Sequence, residues 1–252
     1  MDKNYCIEKV KEYIVSSNLN IEMKDFEKRG QVFKVNYLEN TVKIIGIENA
    51  TIISVSKDLE KQVKKEFMNK SRDIVFENPI TYGETIFYIP NFSKNEIINN
   101  NKYKVEYFIG QESIEKLKFP KSFNDCITYD DNNNLLTDIV AVVFDNGKIV
   151  SCAGAMKVFD GIYEMGIDTL PEYERRGFAV MLSNALRLKL QEMNIVPIWR
   201  ASVTNIGSQN IAQRAGFVPY YISSFGTLGD KFCPYNNLFD KKINSKSAIN
   251  RI

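Results

Sequence analysis

Arg175, Arg176 and Gly177 stand between a strand-like stretch, Tyr163 to Leu170, and an apolar helical pattern that starts at Phe178. The first N–H groups of a helix have no intrahelical acceptor, and their partial positive charge favours a pyrophosphate at the helix mouth. The two arginines add full charges. Gly177 lets backbone approach a phosphate closely and accepts a positive φ that other residues resist. Upstream, Glu164 and Asp168 fall on one face of the strand by period-two alternation, where either carboxylate could take a proton from a nucleophile. Downstream, Asn205 and Ser208 open a second helix, and Tyr220 and Tyr221 supply hydroxyls just beyond its end.

The elements that must hold these groups are legible in order. Ile139 to Phe144 and Ile149 to Met156 flank Asp145-Asn-Gly-Lys148, a strong local signal for a hairpin. The hairpin feeds the strand that carries Glu164 and Asp168. Ala179, Leu182, Leu186, Leu190 and Met193 recur at spacings of three and four, which predicts a helix over Phe178 to Met193 packed on a sheet. Pro197 introduces another strand, Ile198 to Val203. Asn205 or Ser208 then caps a helix that stops at Gly216.

The N-terminal region has a weaker signature. Ile7, Val10, Ile14 and Val15 predict an amphipathic opening helix. Residues 31–37, 42–47 and 50–55 suit strands, and Lys57 to Glu66 mixes charges at the spacing of a solvated helix face. Another strand, Glu84 to Ile89, ends at Pro90. Polar runs near residues 91–102 and at Asp130 to Asn134 are candidate linkers. A boundary near residue 120 divides the chain into 1–120, an α/β domain without an assigned role, and 121–252, the domain that carries the chemistry.

Composition excludes several classes. The 252 residues contain no histidine, which removes Ser-His-Asp and Cys-His triads and every histidine-containing zinc site. Cys6, Cys126, Cys152 and Cys233 are scattered singly, without a CxxC pair, and read as reduced, mostly buried thiols. No metal is expected. A formal charge of +2 is too small for general nucleic-acid affinity, and the apolar runs are too short to span a bilayer. The N-terminus lacks the pattern of a secretory signal, so a cytoplasmic location is expected. Trp199 reads as core, and Phe159 and Tyr163 as core or rim aromatics.

Two motifs in order, Glu174-Arg-Arg-Gly-Phe-Ala179 and Asn205-x-x-Ser208 followed by a helix and Gly216-Phe217, resemble the GNAT superfamily of acyl-CoA-dependent N-acyltransferases. The likeness is narrower to a Gram-positive subgroup with an extra N-terminal region, and it covers roughly residues 125 to 222. It implies an α/β (α+β) fold: a mixed, mostly antiparallel sheet with flanking helices, preceded by an N-terminal α/β region whose element order fits a degenerate copy of the same fold.

The resemblance further implies acetyl-CoA as co-substrate and a primary amine as acceptor, in a monomer or homodimer. Two neighbouring strands would splay, with Ile167, Asp168, Thr169 and Leu170 meeting the pantetheine arm. Arg175, Arg176, Gly177, Phe178 and Ala179 would hold the pyrophosphate, and Asn205 and Ser208 would be further cofactor contacts. Glu164 or Asp168 would be the general base. The chain departs from the family pattern at Glu174, usually a cation or amide, and at Ala212, often a tyrosine that protonates the departing thiolate. Tyr220 and Tyr221 are the substitutes for that acid, and a non-catalytic acyl-CoA-binding or regulatory module is the alternative reading.

Overall fold

The computed structural model describes residues 1–93, 96–98 and 102–228. In chain order its elements are α1 (Lys3–Val15), β1 (Gly30–Asn36), β2 (Val42–Ile47), β3 (Ala50–Ser56), α2 (Glu60–Phe67), α3 (Arg72–Phe76), β4 (Thr81–Tyr82), β5 (Thr85–Pro90), β6 (Glu106–Ile109) and α4 (Gln111–Ile114). They continue with β7 (Thr137–Asp145), β8 (Lys148–Phe159), β9 (Ile162–Thr169), α5 (Phe178–Glu192), β10 (Val196–Ser202), α6 (Ile206–Arg214), β11 (Phe217–Ser223) and β12 (Gly226–Thr227). The architecture is mixed α/β with a mostly antiparallel sheet and flanking helices. Cys233 and the polar C-terminal run lie outside the described residues.

Two compact units emerge: Met1–Tyr13 with Phe87–Tyr220, and Ile14–Ile86 with Tyr221–Ile252. This differs from a single boundary near residue 120, because the opening helix and residues 87–120 group with the C-terminal region. The sequence offered no local sign of this, since the grouping is made by pairing between distant strands.

In the first unit the strands run in the order β5, β10, β9, β8, β7, β6. The β7–β8 hairpin turns at Asn146 (φ 49) and Gly147 (φ 75), the left-handed pair that a two-residue turn requires. Helix α5 packs against β7, β8 and β9. On the other face of β7, Val140 and Val142 join Ile114, Phe123, Ile127, Leu135, Ile149, Cys126 and Cys152 in a buried cluster.

One close approach shapes that face. Gly154 on β8 pairs with Gly166 on β9, and the backbone of Asp125 and Cys126 crosses above them. A Cβ at Gly154 would lie 1.8 Å from the Cys126 carbonyl oxygen, and one at Gly166 would lie 1.9 Å from that of Asp125. Only glycine fits at either position.

The second unit has β1, β3, β2 and the end of β11 in order, with β1 parallel to β3. Its core packs Val42, Ile44, Ile53 and Val55 against Val63 and Phe67 of α2 and Val75 and Phe76 of α3. Helix α2 carries the mixed charges on its solvent side, where Lys57 and Lys64 hold the Glu60 carboxyl down at about 2. The polar run Asp130 to Asn134 is a closed turn rather than a linker. Asp130 Oδ1 accepts the amides of Asn132 and Asn134 at 2.9 and 2.8 Å.

Candidate active site

The central parallel pair of the first unit opens. Strands β9 and β10 are in register at Val196↔Ile162, Pro197↔Tyr163 and Ile198↔Glu164. Pairing stops there, although β9 continues to Thr169 and β10 to Ser202. Residues 165–169 keep their partners on β8, from Met165↔Ala155 to Thr169↔Ser151. Beyond Glu164, β9 is therefore bonded on one side and divergent on the other.

Glu164 sits at the fork. Its side chain is 13% exposed, and Oε1 accepts Nε of Arg200 at 2.7 Å. In-register neighbours of a parallel pair share a face, so Arg200, two residues past Ile198, projects to the same side as Glu164. Tyr13 of α1 also faces both groups, and its hydroxyl is raised above the usual tyrosine range by burial first and by Glu164 second, with Arg200 opposing. Burial raises the Glu164 carboxyl above the ordinary carboxylate range, and the Arg200 guanidinium only partly offsets it. A carboxylate raised in this way is a better proton acceptor at neutral pH than an ordinary one.

Asp168 has a different task. Its Oδ2 accepts the backbone amides of Asp125 at 2.9 Å and Cys126 at 2.8 Å, pinning the crossing segment over the paired glycines. Those two fixed donors on Oδ2 give Asp168 a structural task beside the base role expected of it. Its backbone lies on the part of β9 that is not paired with β10. Ile167 and Thr169 lie on the divergent part of β9, and Thr169 Oγ1 meets Ser151 Oγ at 2.7 Å. The Leu170 amide donates to the Val150 carbonyl at 2.9 Å, and its side chain packs on the buried cluster.

The arginine–glycine turn leads into α5. Arg175 (φ 59) and Gly177 (φ 85) are both left-handed, and Gly177 is the N-cap. The first intrahelical bond runs from the Met181 amide to the Gly177 carbonyl at 3.0 Å. The amides of Phe178, Ala179 and Val180 therefore lack an acceptor within the helix. A Cβ at Gly177 would meet nothing within 4 Å, so φ, not crowding by the protein, demands glycine here. Phe178 is buried with its ring edge-on to Tyr103 at 4.8 Å, and so offers the mouth only backbone.

The arginines divide. Arg175 is exposed. Arg176 folds back: Nη2 donates to the Glu172 carbonyl at 2.6 Å, and the guanidinium lies 4.7 Å from the Tyr173 ring centroid. Tyr173 in turn donates to Asp145 Oδ2 at 2.7 Å, which ties the turn to the hairpin end.

Asn205 caps α6 by accepting the Ser208 amide at 3.0 Å, and Ser208 Oγ accepts Nε1 of the buried Trp199 at 2.9 Å. Asn205 thus closes the helix end, and Ser208 holds the α6 start against β10. Ala212 is fully buried. Tyr220 is half-buried on β11, whereas Tyr221 is buried and paired with Ile47 in the second unit. Adjacent strand residues face opposite ways, and the buried Tyr221 packs within the second unit. Arg200 and Tyr13 were missed from sequence. A lone arginine inside an apolar strand was the signal available for Arg200, while Tyr13 had none.

The site defines a class first: a mixed sheet whose central parallel pair opens beside a helix mouth, with a largely buried carboxylate at the fork. The family model of GNAT acetyltransferases matches residues 27–221, and the chain belongs to that family. The match starts well before the motifs that carry the resemblance. Similar solved structures include a GCN5-related N-acetyltransferase-like protein from Streptococcus suis 89/1591, at 15% identity and TM-score 0.44, covering 70% of this chain and 71% of that one. Another is a putative GNAT-family acetyltransferase from Novosphingobium aromaticivorans DSM 12444, at 15% identity and TM-score 0.43, covering 56% and 63%. A third, a GNAT-family acetyltransferase from Colwellia psychrerythraea, has 14% identity and TM-score 0.41, covering 62% and 60%. The chain thus spans under two thirds of the length of the last two. No curated protein matches it.

Proposed function

We propose that this protein transfers an acetyl group from acetyl-CoA to a primary amine by direct attack within a ternary complex. The observation that carries the reading is the fork of β9 and β10 after Ile198↔Glu164, with a buried carboxylate at its base. The exposed backbone edge at residues 165–169 suits an extended pantetheine arm. The amides of Phe178 and Ala179, with Gly177, Arg175 and the helix dipole, suit the pyrophosphate.

In the reaction Glu164 takes a proton from the amine, directly or through water. The nitrogen lone pair forms a bond to the thioester carbonyl carbon, the C–S bond breaks, and the sulfur leaves with its electron pair. A thiolate with a solution pKa near 8.5 leaves without strict need of an acid. Tyr220 is the hydroxyl retained for reprotonating it. The reaction is assigned to the cytoplasm, in keeping with the free thiols Cys6, Cys126 and Cys152, and to a monomer or homodimer.

The test is release of free thiol from acetyl-CoA against a panel of primary amines. Turnover with at least one amine supports the reading. Tight acetyl-CoA binding with no turnover across the panel would favour a non-catalytic acyl-CoA-binding module, which the exposed Glu174 beside the cradle and the buried Ala212 in the usual acid position also favour.

A further inference from the structure

We infer that Arg200 is the positioning residue for the proton acceptor: its Nε–H binds Glu164 Oε1 and so commits the other oxygen, Oε2, to the incoming amine. The inference rests on the transferase reading and names a residue that neither the family motifs nor the sequence singled out. Strand register brings the two side chains together, since Ile198 is the last residue of β10 paired with Glu164 and Arg200 follows on the same face. The bond is short, at 2.7 Å, and asymmetric in its surroundings: the Glu164 side chain is 13% exposed and that of Arg200 49%.

That asymmetry suits a lever rather than a structural lock. A buried carboxylate held by a fully buried arginine would be fixed in its ionised form, and one with no partner would stay protonated at neutral pH. A half-exposed guanidinium is screened by water, so it orients the carboxylate while leaving it within reach of a proton. Among the described residues, the titratable and charged groups facing Glu164 are Arg200 from β10 and Tyr13 from α1. Across the other ladder β8 presents Met156, which carries no charge. Among the described residues Arg200 is thus the cation that opposes burial at this carboxylate, and its removal should make Glu164 harder to ionise.

The experiment compares wild type, Arg200→Gln and Arg200→Lys in the full chain. With an accepted amine, the acidic limb of the kcat/KM profile should move up by about one pH unit in Arg200→Gln. It should return most of the way in Arg200→Lys, with acetyl-CoA affinity unchanged in both. Carbon-13 carboxylate NMR, with the Glu164 signal assigned by its loss in Glu164→Gln, should show the same upward move without any turnover. Melting curves confirm that each variant is folded, and Arg200→Lys stands in if Arg200→Gln is not. A Glu164 titration and a limb that stay in place in a folded variant would overturn the role of Arg200 while leaving the transferase reading intact. A wild type that turns over no amine would defeat that reading, and the NMR titration would still decide for or against the lever.

Discussion

The buried Asp25 in the second unit and the largely buried Glu164 in the first are both carboxylates bonded to basic side chains, yet they fall on opposite sides of the ordinary carboxylate range. Burial pushes Asp25 up, but Lys34 at 2.9 Å, the Glu22 amide at 2.9 Å and Lys28 at 3.2 Å together outweigh it and hold it low. Glu164 has one half-exposed arginine, and burial wins. Where a carboxylate must stay charged to hold a fold, both oxygens are given donors. In the role proposed for Glu164 one oxygen is left to react, and there the charge is undercompensated and the proton affinity rises.

The comparison breaks most sharply at Glu164. Glu164→Gln should lower turnover about 10²- to 10⁴-fold, the usual reach of a general base, with acetyl-CoA affinity nearly intact. Stability should move the other way. A carboxyl raised in the folded state contributes stability below its unfolded pKa, near 4.3, and that contribution is lost as pH rises through the folded value. At pH 8 the neutral glutamine should therefore melt higher than wild type, and near pH 4 the difference should shrink. A Glu164→Gln protein that melts lower at pH 8 would contradict burial as the dominant effect.

Asp25 is the converse case. Asp25→Ala removes the buried partner of Lys34, whose side chain is 14% exposed and which keeps the half-exposed Glu22 at 3.0 Å, and should cost about 1–3 kcal/mol of unfolding free energy. A depressed carboxyl contributes stability above its unfolded pKa, near 3.9, and loses it as pH falls through the folded value. The gap between wild type and Asp25→Ala in denaturant melts should accordingly be full at pH 7 and close only in acid. An equal gap at pH 7 and pH 3 would show that the charge is not what Asp25 supplies.

The pattern of what sequence revealed follows the range of the forces involved. The Asn146–Gly147 hairpin, the α5 periodicity and the Asn205 cap of α6 depend on residues a few positions apart, and each stands where turn chemistry or spacing puts it. The fork shows only as a resemblance, because divergence is the absence of pairing between β9 and β10. Arg200 was invisible because Glu164 lies 36 positions earlier and only the parallel register joins them. The structural bonds of Asp168 were hidden for the same reason: the amides it accepts belong to residues 125 and 126. Its signal was indirect, two glycines in adjacent strands that leave room for a crossing backbone.

Gly177 tests whether the helix mouth is as separable from the fold as Glu164 is. Its φ of 85° sets a strain of about 1–2 kcal/mol on any residue with a Cβ, while the space around it is open. Gly177→Val should remain folded with a modestly lower melting temperature and lose the thermal shift that CoA confers on the native state, a shift that grows as RT ln(1 + [L]/Kd). A folded variant with the wild-type shift would remove the cradle from the binding site.

The smallest expected effects separate the two arginines. Both carry charge at the mouth, but the Arg176 guanidinium is already engaged by the Glu172 carbonyl and the Tyr173 ring. An exposed cation–π contact is worth about 0.5–1 kcal/mol, and that contact would have to be given up before Arg176 could turn to a phosphate. Arg175→Ala should therefore weaken acetyl-CoA binding by about 1–3 kcal/mol, the scale of one charge-assisted contact. Arg176→Ala should cost less than that and should act through the turn that it braces. Calorimetry on Tyr173→Leu sharpens the distinction, since the ring that holds Arg176 is gone while its charge remains. If Tyr173→Leu weakens binding as much as Arg176→Ala does, Arg176 works as a brace. If Tyr173→Leu leaves affinity unchanged while Arg176→Ala equals Arg175→Ala, both arginines meet the phosphate directly.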